Sequence, residues 1–71
     1  MIRHPRQTAF HAGPHHWVVA RAGRHGTWDV IEVTAQATRT HTHFWRRSDA
    51  EVLAEAIAAT RSHNLTAEDP R

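Results

Sequence analysis

A chain of 71 residues and 8.1 kDa has room for one small domain, which excludes most large-enzyme architectures. It has no cysteine, so disulfides are ruled out, and a domain this small buries only about 60% of the surface of its unfolded chain. All nine of its cationic side chains are Arg, set against 7 acidic residues and 8 His, for a net charge of +2 that is modest for a protein whose first task is to hold phosphates.

With 39% hydrophobic and 23% charged residues, the composition is globular rather than disordered. No window approaches the roughly 18 consecutive apolar residues of a membrane span, and Met1 to Arg6 lacks the apolar run of a signal peptide. The expectation is a soluble, cytoplasmic protein.

Residues 1–14 hold Pro5, Gly13 and Pro14 among polar and basic residues with no sustained period, and they read as a flexible basic arm. The globular part is then a single domain over residues 15–64, followed by a polar tail over 65–71. Trp17-Val18-Val19-Ala20 is a β-branched and aromatic run, and Arg21 to Gly26, with Gly23 and Gly26, supplies a hairpin loop. A second strand follows as Trp28 to Thr34. Ala35-Gln36-Ala37 lacks Gly and Pro, so the next turn is weakly signalled and one long bent strand remains an alternative.

The third strand is Arg39 to Trp45. Strict alternation sets Thr40, Thr42 and Phe44 on one face, facing the core, and Arg39, His41, His43 and Trp45 on the other. Ser48 and Glu51 have the spacing of a capping box and open a helix. Ala50, Leu53, Ala56, Ile57 and Thr60 make its apolar stripe, flanked by Val52 and Ala59, and His63 with Asn64 ends it. The predicted fold is α+β: a three-stranded antiparallel sheet with one C-terminal helix on one face, in the order β-β-β-α. Its other face is left uncovered.

On Gly26-Thr27-Trp28 and Ser48-Asp49-Ala50-Glu51, the pattern from Trp17 to His63 resembles small β-β-β-α domains, namely the partial RNase H-like domain of HicB antitoxins and the arm-binding domain of phage integrases. It departs from the first at Ala35 to Thr42, which lacks Pro and Gly, and from the second in having no Lys. No functional residue is carried over from either. The use of Arg alone, together with abundant Ala, resembles the coding bias of actinobacteria and their phages and suggests an accessory protein of that origin.

The predicted partner-binding set is Arg39, His41, His43, Trp45, Arg46 and Arg47. A strand can present such side chains to a groove or a protein surface, with Arg reaching anions and Trp45 serving as an interface anchor. Trp17 and Trp28 are expected to pair across strands in the core. His41 and His43, joined by His15 or His16 and by Asp29 or Glu32, form the candidate ligand set for zinc, the one cofactor the sequence suggests. Catalysis is not expected, since Cys and Tyr are absent and the glycines form no phosphate loop.

The expectation is a noncatalytic interaction module that forms a homodimer and binds a host macromolecule, foremost a protein, through the uncovered face. The alternatives are a DNA-binding or regulatory domain using the same strand, and a His-ligated metal protein.

Overall fold

The computed structural model describes residues 1–67, with side chains described as far as His63. The fold is α+β, as predicted, but its antiparallel sheet has five strands in the order β1-β2-β3-β4-β5. These are β1 (Ile2–His4), β2 (Gln7–Gly13), β3 (His16–Ala22), β4 (Trp28–Val33) and β5 (Thr38–Phe44), followed by one helix, α1 (Arg47–Ala67). Residues 1–14 are therefore not an arm, because they carry β1 and β2. The helix also runs past His63 and Asn64 to Ala67, which shortens the expected tail; residues 68–71 lie outside the described residues.

Each neighbouring pair of strands is joined by a short connection. Pro5 and Arg6 turn β1 into β2, with His4 opposite Gln7, and proline presets the backbone for that corner. Pro14 and His15 turn β2 into β3, with His15 in the left-handed region at φ 56°. Between β3 and β4, the Gly23 amide donates to the Thr27 carbonyl at 2.7 Å. Gly26 has φ +80°, which L side chains rarely adopt, and a Cβ on Gly23 would meet Thr27 Oγ1 at 2.6 Å and Asp29 Oδ1 at 2.9 Å, so a side chain there would have to displace both.

Alternation along each strand sends one set of side chains under the helix. Thr8, Phe10 and Ala12 of β2, Val18 and Ala20 of β3 and Val30 of β4 are buried against Ala50, Ala54 and Ala58 of α1. Trp28, Phe44, Leu53 and Ile57 close the edges of this core. The buried helical row is Ala50-Ala54-Ala58, whereas Ala56, Ala59 and Thr60 are exposed, so the apolar stripe is rotated from the predicted one. Methyl side chains at these positions let the helix lie close on the sheet, where bulkier residues would hold it away.

The far face carries no helix. There Ala9, Val19 and Ile31 align across β2, β3 and β4, and Trp17 sits opposite Val33 in the next row. Trp17 meets the His11 ring edge-on, with ring centres 4.9 Å apart. Trp28 packs on the helix side with the Arg47 guanidinium over its ring, so the expected Trp17–Trp28 pair is not formed.

A register shift between Val30 and Ile31 corrects the predicted faces of β5. Val30 faces Thr42 and Ile31 faces Thr40, which leaves His41 as the extra, bulged residue. Beyond the bulge the alternation changes parity: Thr40 lies across from Ile31 on the helix-free face, while Arg39 pairs with Glu32.

Loss of residues 1–14 would remove Thr8, Phe10 and Ala12 from beneath the helix. A chain truncated before His15 is expected to lose its cooperative thermal transition by circular dichroism, and a truncated chain that melts like the full one would contradict this. Phe10→Ala in the full chain is expected to cost about 3 kcal/mol in urea denaturation.

Candidate binding surface

Two ionic clamps fasten the helix to the sheet, one near each end. At the C-terminal end of the helix, Arg61 reaches Glu32 of β4 with Nε at 2.8 Å from Oε2 and Nη2 at 3.2 Å from Oε1. His41 Nε2 lies 2.7 Å from Oε1 and His16 Nε2 lies 2.5 Å from Oε2. Glu32 is only 7% exposed. The Arg61 guanidinium, aided by the two imidazoles and against the pull of burial, holds its carboxyl far below the ordinary value of 4.5.

The second clamp lies at the start of the helix. Thr8 donates its hydroxyl to Glu51 Oε2 at 2.5 Å, and Arg3 and Arg47 reach the same oxygen at 3.0 and 3.3 Å. The Thr8 hydroxyl, then Arg3, lowers the Glu51 pKa. The expected capping box is thus replaced, because Glu51 turns to the sheet instead of back to Ser48. Arg47 also donates to the carbonyls of His4, of Pro5 at 2.9 Å and of Gln7 at 3.2 Å, and to Thr8 Oγ1 at 3.1 Å.

These clamps divide the arginines into two populations. Arg3, Arg47 and Arg61 are bound to Glu51 or Glu32. Arg6, Arg21, Arg24, Arg39 and Arg46 are exposed and form no ion pair among the described residues. Four of these five gather at one end of the sheet. Arg47 ties the β5–α1 connection to the β1–β2 turn, which brings Arg46 toward Arg6. The Arg6 carbonyl accepts from the Ala22 amide at 2.9 Å, which brings Arg6 to the β3–β4 loop with Arg24 and His25. Arg21, the next residue along β3, faces Asp29 across the strands.

The six residues predicted as one binding set are accordingly dispersed. His41 turns inward to Glu32, and Arg39 lines a cavity of about 270 Å³ with Glu32, Thr34, Ala37 and Arg61, at the end of the sheet away from the arginine cluster. His43 is exposed, with its Nδ1 2.6 Å from Asp29 Oδ1 on the helix-free face. Arg47 is engaged internally. Trp45 and Arg46 stay exposed, with Trp45 at 78%. Sequence reasoning missed Arg6, Arg21 and Arg24 as members of the same surface. The two flanking glycines and the Pro5 corner were the available signals, but only pairing β1 and β2 to the sheet brings those residues together.

For the metal candidates, the structure joins His16 and His41 at Glu32, sends His43 to Asp29, and leaves His15 exposed in its turn. Both imidazoles at Glu32 aim Nε2 at a carboxylate that already carries a guanidinium. Among the described residues, no group of three or more His, Cys, Asp or Glu is arranged to hold a metal ion. No helix among them is long and apolar enough to cross a membrane. No family model, curated protein or solved structure matches the chain.

The lowered carboxyl values fix the sign of the acid response. The stability contributed by Glu32 and Glu51 is complete above 4.5, the ordinary carboxyl value, and is lost as pH falls below it. Urea midpoints are expected to drop between pH 5 and pH 3. Glu32→Gln is expected to lose about 2 kcal/mol at pH 5, the scale of hydrogen bonds to a charged group, and to show a shallower acid drop. An unchanged slope would place the acid sensitivity elsewhere.

Proposed function

We propose that this chain is a noncatalytic interaction module that holds an anionic macromolecule at the arginine-rich end of its sheet. The observation that carries this reading is the division of the cations: Arg6, Arg21, Arg24 and Arg46 share one end with no bound carboxylate, while the arginines that could neutralise Glu32 and Glu51 already do so. The nearest acid on the strands, Asp29, is taken by His43 and by Thr27, whose hydroxyl donates to it at 3.3 Å. Concentrated, unneutralised guanidinium groups attract anions and bind them bidentately. The charge is local, which reconciles it with a net charge of only +2.

A second reading, in which a second copy or a host protein seats on the helix-free face, draws on the alignment of Ile2, Ala9, Val19 and Ile31 beyond the reach of α1. Ile31 is already 3% exposed and Trp17 half-buried, so this face offers little free apolar area beyond Ile2, and the charged end is the better-supported surface. Light scattering discriminates the paired form, for which the mass would be about twice 8.1 kDa.

Fluorescent heparin serves as a generic polyanion for the leading reading. Binding is expected at about 50 mM salt and should weaken steeply as salt rises. Replacing Arg24 and Arg46 by Ala should lower the slope of log K against log salt by about 2, since each phosphate-type contact contributes roughly 1. Arg39→Ala, at the opposite end, should change it little. Absence of binding at low salt would overturn the reading.

A further inference from the structure

We infer that the polyanion is a single-stranded nucleic acid, with one base stacked on the Trp45 indole and its phosphates along Arg46, Arg6, Arg21 and Arg24. This rests on the proposed anion-binding role of that end and adds the chemical class of the ligand.

The three tryptophans differ in what they touch. Trp17 has the His11 ring against it, and Trp28 lies in the core rim under the Arg47 guanidinium. Trp45 makes no ring or cation contact among the described residues and is 78% exposed. A large aromatic surface left in water is unfavourable by the ordinary measure of apolar burial, and here it stands beside unpaired cations. That combination suits a ligand that is aromatic and anionic in short alternation, as a polynucleotide strand is.

Trp45 follows Phe44, which lies across from Trp28; Trp28 faces Ala22, and Ala22 bonds the Arg6 carbonyl. The path from Trp45 to Arg6 therefore crosses three interstrand gaps, about 15 Å in all. A stacking platform at one end of a basic track is the arrangement that binds unpaired strands with little regard to sequence. Arg24 is presented, exposed, on the loop closed by the bond from the Gly23 amide to the Thr27 carbonyl.

Duplex ends aside, paired bases are stacked on one another and offer no free ring to the indole. An acidic protein could meet the guanidinium groups and cover the indole only where its own fold brings an apolar side chain beside its carboxylates, whereas a polynucleotide repeats ring and anion in every unit. Asp29, across from Arg21, is engaged by His43, and Asp49 is exposed in the first turn of α1.

Anisotropy of labelled oligo(dT) of about 12 nucleotides tests the assignment, with a duplex of equal length and polyglutamate as competitors. The single strand is expected to bind more tightly than either competitor. Trp45→Ala should weaken it about tenfold with an unchanged salt slope, and Trp45→Phe should recover most of the loss. Because Trp45 is exposed, both variants should melt like the parent chain.

An unchanged affinity in Trp45→Ala, or a duplex or polyglutamate that competes as well as the strand, would overturn the single-strand assignment while heparin binding kept the broader reading intact. Failure to bind both heparin and oligonucleotide would overturn the two together.

Discussion

Glu32 lies between the sheet and the helix at 7% exposure, and at that depth an uncompensated carboxylate would cost several kcal/mol. Its compensation comes from three separate elements: His16 from β3, His41 from β5 and Arg61 from the helix. Each donor arrives only if its element is in register. The bulge in β5 is needed to turn His41 inward, and the helix must run far enough along the sheet for Arg61, 39% exposed and reaching in from the edge, to meet the carboxylate. One buried charge thus ties strand register and helix placement together, which a small alanine-rich core could do only loosely.

The Arg47 and Glu51 cluster does comparable work at the other end. There the guanidinium caps carbonyls of the first turn and covers Trp28, and the carboxylate takes Thr8 and Arg3. Between the clamps lies a thin layer of Val, Ala and Phe side chains. A chain without disulfides that buries so little apolar surface gains much of its specificity from such directional contacts, because they are satisfied in one arrangement and leave buried polar atoms unpaired in others. All buried side-chain nitrogen and oxygen atoms among the described residues have partners.

The proposed function draws on what the clamps leave over. They engage Glu32 and Glu51 together with Arg3, Arg47 and Arg61, which leaves Arg6, Arg21, Arg24, Arg39 and Arg46 exposed without an ion pair among the described residues. The meander then folds the β1–β2 turn, the β3–β4 loop and the β5–α1 connection to the same end, because in an antiparallel sheet alternate connections share an end. Arg6, Arg24 and Arg46 come from those three connections, and Arg21 from the strand beside them. The surface therefore arises from topology rather than from any local motif.

By itself the sequence determined the class, one sheet with a C-terminal helix, as well as the β3–β4 hairpin with its two glycines and the exposure of Trp45. Those features are local: strand composition, turn chemistry and helical periodicity leave marks within a few residues. The strands in residues 1–14 were not legible, because the buried face of Gln7 to Gly13 is Thr8, Phe10 and Ala12, a single large apolar residue between two small ones that is buried only when the helix lies on it. Nor was the separation of His41 from His43, since a bulge is set by pairing with β4 and reverses the faces of Thr40 and Arg39 relative to Thr42 and Phe44. Which arginines are spent and which are free was decided only in three dimensions, because Glu32 and Glu51 find their partners across 29 and 48 residues of chain.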